Sequence, residues 1–234
     1  MDRLQLLKKG IALADRNIRL FLVYFAASAA YSLVLAFAVR TFHGDEPVMP
    51  ETMRSLLTIE FGMAVVCIPL MAALDCFIVG TLRRQLVDSE EEHPFRRFYG
   101  RAVVFELLLV SLLLVFLWPP FVLLLPMVHI YSLLIIAYLF WHDCGVVRAV
   151  KEGSRAVSAR LNAFLPVMLM GFFLYILLLV AREVALKQVP ELVRTLFVDA
   201  VLSYVDIAIL CISFVLFIEL PQKGPASSDR NTES

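Results

Sequence analysis

Charged residues are scarce in this chain. Only 18% of its 234 residues are Asp, Glu, Lys or Arg, against about 25% in a typical soluble domain. The 21 basic and 21 acidic side chains cancel, so no overall positive charge indicates a nucleic-acid partner. Cysteine is limited to Cys67, Cys76, Cys144 and Cys211, which lie inside or beside apolar segments. We therefore expect packing residues rather than the disulfides of an exported domain.

Sequence motifs for catalysis and metal binding are also missing. The four histidines are far apart, and none forms the His-x-x-x-His pair of a helical metal site. His142, Asp143 and Cys144 are adjacent, but neighbouring residues on a helix point in different directions. No glycine-rich phosphate loop, nucleophile elbow or Ser/Lys pair occurs. We expect no enzymatic activity, no metal and no cofactor.

Long apolar runs are what the sequence has instead. Hydrophobic residues make up 61% of the chain, and the run from Ile18 to Val39 carries one charge, Arg19. A bilayer core about 30 Å thick needs roughly 20 such residues at about 1.5 Å rise each. We predict an all-α, polytopic membrane bundle with six transmembrane helices. The predicted spans are residues 19–39, 57–80, 102–118, 121–141, 163–181 and 196–219.

The boundary between the third and fourth spans rests on the segment Trp118-Pro119-Pro120-Phe121. Two adjacent prolines remove two backbone donors and stop a helix, and aromatic residues suit the membrane interface. We interpret Trp118–Phe121 as a tight turn between two spans. The alternative is one kinked helix followed by a re-entrant piece.

Positive charge is concentrated on one side of this predicted topology. Of the 21 Lys and Arg residues, 16 lie before the first span, in the second and fourth loops, or after the last span. Loops rich in Lys and Arg stay in the cytoplasm. We therefore expect a multi-pass protein of the inner (plasma) membrane with both termini cytoplasmic.

Three basic segments are typical of helices that lie in the lipid headgroup layer: residues 4–18, 90–101 and 145–160. In the first and third, apolar residues recur every three or four positions, and cations occupy the other faces. The candidate lipid-headgroup contacts are Lys8, Lys9, Arg16, Arg96, Arg97, Lys151, Arg155 and Arg160. The membrane domain covers residues 1–221, and the polar residues 222–234 are predicted to form a disordered cytoplasmic tail.

A short motif recurs along the chain. Lys8-x-Gly10 returns as Lys151-x-Gly153, each followed eleven residues later by a phenylalanine. The pattern predicts three helical hairpins, each preceded by a basic interfacial helix, although a chance match is the alternative. The candidate inner-interface carboxylates at the ends of the even-numbered spans are Asp75, Asp143 and Glu219. We interpret these carboxylates as partners of nearby arginines.

A family resemblance rests on the end of the fourth span and the start of the fifth. The matching residues are Asp143, Gly145, Val146, Ala149, Ser154, Asn162 and Phe164. This stretch resembles the membrane domain of glycerophosphoryl diester phosphodiesterases and related uncharacterised six-helix prokaryotic membrane proteins. The resemblance implies the six-helix architecture but no catalytic residues. In that family a soluble phosphodiesterase domain can follow the membrane part, and we expect none here, because the residues after Pro221 are few and polar.

Ionisable residues deep in the bilayer are the best functional candidates, because a central Asp costs about 2.5–3.5 kcal/mol to insert. Asp206 lies about ten residues into the last span, and His129 about eight residues into the fourth. One hypothesis is a proton or cation relay through this pair. The alternative is packing, with Asp206 protonated or hydrogen-bonded to Tyr204, Ser203 or a neighbouring helix.

Two functional hypotheses follow. The first is a non-enzymatic membrane module that interacts with lipid or with partner membrane proteins, including a second copy of the chain. The second is a small permease or channel subunit with a polar path through Asp206 and His129. One wet cavity that both residues face and that opens to either side favours transport, whereas both residues sealed among packed apolar side chains favour the module.

Overall fold

The computed structural model describes residues 3–43, 50–87, 94–116, 124–184 and 188–219, and these ranges are helical with short turns and no strand. The helices are α1 (Arg3–Arg16), α2 (Ile18–His43), α3 (Pro50–Val87), α4 (Pro94–Phe116), α5 (Leu125–His142), α6 (Val146–Arg148), α7 (Ser154–Ala159), α8 (Leu161–Glu183) and α9 (Glu191–Glu219), with a π-helical turn at Ala149–Gly153. The predicted all-α membrane bundle is confirmed.

Five helices are long and apolar enough to cross a membrane. Their spanning segments are Ile18–Val39, Phe61–Leu86, Leu125–His142, Leu161–Arg182 and Glu191–Glu219. The predicted third span, 102–118, follows α4 as far as Phe116. The turn at Trp118–Phe121 and the tail 222–234 lie outside the described residues. The total of six spans therefore stays a prediction.

Helix α9 is the central helix of the bundle. Its residues 205–217 are all buried, and α1, α2, α5 and α8 pack against it. A helix that is apolar on every face is expected where every face meets another helix. The ring of Phe217 lies 5.4 Å from Tyr138 of α5 and 5.1 Å from Phe164 of α8. The end of α9 is thereby fixed against two neighbours.

Helix α1 packs along α9 through a buried apolar face that includes Leu6 and Ala14. Gly10 is where the two backbones meet, because a Cβ added there would lie 2.6 Å from the Cα of Ile212. The predicted amphipathic helix at 4–18 is therefore present. Its buried face lies against another helix, α9.

The ends of α1, α5 and α9 meet at one end of the bundle, which we call the basic end. There Lys9 Nζ lies 2.7 Å from Glu219 Oε1. Arg101 Nη1 lies 2.7 Å from Asp143 Oδ1, and Arg97 binds the other oxygen of Asp143. Asp143 follows α5 in the left-handed region (φ 49°), a conformation that Asp tolerates better than most residues.

The segment from α6 to α7 lies where the basic helix 145–160 is predicted. Its π-helical turn brings Gly153 against α5, where an added Cβ would lie 3.0 Å from Ile135 Cδ1 and 3.2 Å from Tyr138 Cγ. Both Lys-x-Gly sequences thus place a glycine against an even-numbered span, Gly10 on α9 and Gly153 on α5.

The basic segment 90–101 differs from the prediction. Helix α4 begins at Pro94 and runs unbroken to Phe116, so residues 94–101 are its first two turns and not a separate interfacial helix. Gly100 does not interrupt it, because a single glycine costs a helix only about 1 kcal/mol. Residues 90–93 lie outside the described ranges.

Candidate functional site

Asp206 is buried at the middle of α9, with 4% of its surface exposed. Three side chains from three other helices contact its carboxyl group. Tyr24 of α2 donates to Oδ2 at 3.1 Å, and Tyr175 of α8 donates to Oδ1. His129 Nε2 of α5 lies 3.1 Å from the same Oδ1. The two deep residues singled out in the sequence are therefore in direct contact, and four helices meet at one carboxyl group.

The partners of Asp206 come from neighbouring helices, as one of the sequence alternatives holds. The local partners suggested for it are not used. The Tyr204 hydroxyl donates to Asp15 Oδ1 at 2.7 Å, and the buried Ser203 hydroxyl has no hydrogen-bond partner among the described residues. Tyr204 is poorly placed to reach Asp206, because side chains two positions apart on a helix point in different directions.

A cavity of about 220 Å³ lies beside this cluster, between α2, α3, α4 and α5. Its polar lining includes Tyr24, Asp75, Glu106 and His129. Glu106 is 9% exposed, and its carboxyl group faces the same cavity as that of Asp75. His129 thus has the Asp206 carboxyl group on one side and a cavity with two carboxyl groups on the other.

The position of Asp75 corrects the prediction for this residue. It was expected at the inner interface beside arginines, because the second span was predicted to end at residue 80. Helix α3 instead continues to Val87, and its apolar segment runs from Phe61 to Leu86. Asp75 therefore lies near the middle of the span and faces the cavity that Glu106 also lines.

The other two predicted inner carboxylates lie at the basic end and do pair with cations. Asp143 binds Arg97 and Arg101, and Glu219 binds Lys9. Both contacts agree with the interpretation of these carboxylates as partners of basic residues. They also show that Asp75 belongs to a different environment from Asp143 and Glu219.

The candidate headgroup contacts are mostly exposed. Lys8, Lys9, Arg16, Arg96, Arg97, Lys151 and Arg155 are exposed, and Arg160 is half-buried. Lys9 and Arg97 are engaged in the ion pairs described above. All of these residues lie on α1, the first turns of α4, or the α6–α7 segment, which are the elements that meet the basic end.

Three members of the site were not singled out in the sequence: Tyr24, Tyr175 and Glu106. A tyrosine in an apolar span carries no distinctive signal, since tyrosine is also common as a packing and interface residue. Glu106 carries one, because it is a carboxylate among Leu and Val residues of a span. Its position 31 residues after Asp75 gives no hint of their contact, which depends on how α3 and α4 pack.

Metal binding is a natural question for a cavity with two carboxyl groups and an imidazole. Within the ranges that the structure describes, no three His, Cys, Asp or Glu side chains come close enough together to hold a metal ion. The carboxyl, imidazole and phenol groups of the cluster can form hydrogen bonds and exchange protons.

Comparisons with known proteins give no relative. No protein-family model, no curated protein and no solved structure matches the chain. The resemblance to the membrane domain of glycerophosphoryl diester phosphodiesterases stays a prediction.

Proposed function

We propose that the protein is a small permease or channel subunit whose polar path includes His129 and Asp206. One observation carries this proposal: His129 contacts the buried Asp206 and also lines a cavity with Asp75 and Glu106. On this proposal the protein is not an enzyme and uses no cofactor.

Energetics support a functional use of this cluster. Each ionisable side chain in the bilayer core is expensive, and such residues generally face a cavity or pair with one another. Here the carboxyl groups of Asp75, Glu106 and Asp206 and the imidazole of His129 lie in one region of the bundle. They come from four helices, α3, α4, α5 and α9. Packing alone needs only one hydrogen-bonded pair to hold two helices. The surplus of ionisable groups favours a path for protons or small cations.

The imidazole of His129 suits such a path. A histidine has two ring nitrogens and can accept a proton on one while releasing it from the other. Its Nε2 lies on Asp206, and the ring also lines the cavity on the side of Glu106. The hydroxyl groups of Tyr24 and Tyr175 hold the Asp206 carboxyl group in place.

Flux measurements in liposomes test this proposal. Purified protein is reconstituted with a dye inside that responds to protons, to sodium or to potassium, and the gradient of the matching ion is applied. We expect flux above that of protein-free liposomes, and a loss of at least about tenfold in Asp206→Asn, equivalent to about 1.4 kcal/mol on the barrier. Asp15→Asn is the matched control, because Asp15 also accepts from a tyrosine but lies outside the cluster.

The opposite result is equally clear. If folded Asp206→Asn protein carries the same flux as wild type, or if wild type carries none for any of the three ions, the transport proposal is wrong. A lower folding yield without any change in flux per folded molecule indicates a packing role for Asp206.

A non-enzymatic membrane module is the second candidate, and the cations of the basic end favour it. Seven of the eight candidate headgroup residues are exposed at this end. Anionic lipids on the cytoplasmic leaflet attract such clusters. We propose that the basic end faces the cytoplasm and that the protein resides in the plasma membrane. A reporter fused to the amino terminus that is active only outside the cell would contradict this orientation.

A further inference from the structure

A second concave surface lies on the outside of the bundle, between α4, α5, α8 and the π-helical turn. It is a groove of about 620 Å³ with an almost entirely apolar wall. Its floor is built from side chains that are buried, such as Phe105, Ile135 and Met168. Its rim is exposed at Leu108 and Leu112. A volume of this size is within the range of pockets that hold drug-sized ligands.

The groove runs along α5 for a length that matches about one leaflet of a bilayer. Leu124 lines one end, and Ile135, eleven residues later on the α5 side, lines the other. Eleven residues of helix rise about 16 Å, which is roughly half of the 30 Å hydrocarbon core. Gly153 of the π-helical turn packs on Ile135, so the second end lies beside the α6–α7 segment.

Two cations follow, in the sequence, the residue that lines that second end. Val150 of the π-helical turn lines the groove and is 43% exposed. Lys151 follows it directly, Arg155 lies four residues further on, and both are exposed. The nearest carboxylate in sequence, Glu152, is bound by Arg148 at 2.9 Å. The end of the groove is therefore positively charged, whereas its wall is apolar.

We propose that this groove binds one acyl chain of an anionic phospholipid, with the phosphate group at Lys151 and Arg155. The apolar wall matches the chain, the length matches one leaflet, and the charge matches a headgroup with net negative charge. The groove shares Phe105, Leu109 and Ser132 with the wall of the polar cavity, but Asp75, Glu106, His129 and Asp206 do not line it, so lipid binding can be tested separately from ion transport. The proposal assigns lipid binding to one defined site rather than to the basic surface as a whole.

Lipid retention in nanodiscs tests the charge half of the proposal. Full-length protein is incorporated into nanodiscs of phosphatidylcholine with a minor fraction of phosphatidylglycerol, extracted, and the lipids that remain bound are quantified by native mass spectrometry. We expect the Lys151→Gln, Arg155→Gln double variant to reduce the preference for phosphatidylglycerol about 30-fold, the size expected for two cations at an anionic surface. Lys8→Gln with Arg16→Gln is the matched control on α1, and we expect it to keep the preference.

Photo-cross-linking tests the apolar half. A phosphatidylglycerol with a photoreactive group on its acyl chain should label α4 and α5 at the groove. Leu108→Trp, which fills the exposed rim, should reduce this labelling. Leu177→Trp is the control, because Leu177 is 61% exposed but does not line the groove.

Three results would overturn the proposal. They are equal retention of the two lipids by wild type, an equal loss of preference in both cation variants, and labelling spread evenly over all exposed helices. The first result indicates no preference for negative charge, and the other two indicate that lipid is attracted without a defined site. None depends on whether the protein carries ions.

Discussion

Carboxylates occur in two environments in this molecule, and they have different kinds of partner. At the basic end, Asp143 and Glu219 bind arginine and lysine, which are permanently charged near neutral pH. At mid-bundle, Asp206 contacts two tyrosines and a histidine, and Asp75 shares a cavity with Glu106. Every mid-bundle partner can be neutral.

The difference follows from the surroundings. Near water a carboxylate and a cation are both solvated, and bringing them together changes little, with exposed pairs contributing about 0–1 kcal/mol. Away from water an unpaired charge is expensive, whereas a hydrogen bond to a neutral group is strong. The mid-bundle cluster therefore holds its carboxyl groups with groups that exchange protons. That property makes it a candidate for function, whereas the basic end is a candidate for lipid contact.

Replacing Asp206 by leucine is expected to have the largest effect. Tyr24, Tyr175 and His129 would each lose their contact with the carboxyl group, and a buried polar group without a partner costs about 1–3 kcal/mol. We therefore expect a loss of at least about 3 kcal/mol in unfolding free energy, measured by denaturation in mixed micelles. Asp143→Asn is the comparison at the basic end, and it should lose less than about 1 kcal/mol.

Equal losses of unfolding free energy in Asp206→Leu and Asp143→Asn would contradict the difference between the two environments. In that case the tyrosines and the histidine find other partners, and the cluster is less tightly built than its contacts indicate. Asp206→Asn should retain most of the stability, because an amide still offers an acceptor oxygen.

Gly10→Ala is expected to have the next largest effect, at the basic end itself. The added Cβ would lie 2.5 Å from Ile212 Cγ1 and 2.6 Å from its Cα, so α1 must move away from α9. Overpacking of this kind costs about 1–3 kcal/mol. Gly100→Ala is the matched control, since nothing lies within 4 Å of a Cβ there, and it should stabilise α4 by up to about 1 kcal/mol. Equal effects of the two variants would contradict the close contact between α1 and α9.

Cysteine labelling tests whether the polar cavity is accessible to water. Cys67 lines the polar cavity and is half-buried, whereas Cys76, Cys144 and Cys211 are buried. Burial raises the pKa of the Cys144 thiol, so a smaller fraction of Cys144 is in the reactive thiolate form at neutral pH. We expect a small, charged methanethiosulfonate reagent to modify Cys67 at least about tenfold faster than Cys144, a difference of about 1.4 kcal/mol in barrier.

Single-cysteine variants make this measurement unambiguous. Labelling of Cys144 should increase as the pH rises above the usual range for a thiol, because its raised pKa delays formation of the thiolate. If Cys67 is no faster than Cys144 at neutral pH, the cavity is dry and the transport proposal loses its support.

The sequence predicts much of the fold because the bilayer imposes simple rules. An apolar run of about 20 residues must form a helix, since every backbone polar group has to be satisfied within the segment. The apolar runs that contain His129 and Asp206 could thus be assigned to helices, and both residues to mid-span. The predicted position of Asp75 is wrong for a related reason. Gly80 and Arg83 indicate the end of a span, yet the helix continues through them to Val87.

The composition of the site could be predicted only in part. Charge inside an apolar span identifies Asp206 and His129 without any knowledge of packing. The contacts of Tyr24, Tyr175 and Glu106 depend instead on which helix faces meet, and residues as far apart as 24 and 206 carry no local sign of their proximity. The lipid groove is likewise a property of the space between α4, α5 and α8, whereas the cations at its end are visible in the sequence.

Lys9→Gln is expected to have the smallest effect, and it tests whether the ion pair at the basic end is accessible to water. The Lys9 side chain is 51% exposed and its partner Glu219 is 35% exposed, so water and salt screen their 2.7 Å contact. We expect a loss of less than about 1 kcal/mol in unfolding free energy, and a smaller loss still at high salt. A larger, salt-independent loss would contradict this, because it would mean that the pair is desolvated like the Asp206 cluster. The two environments would then differ in the identity of the partners and not in their access to water.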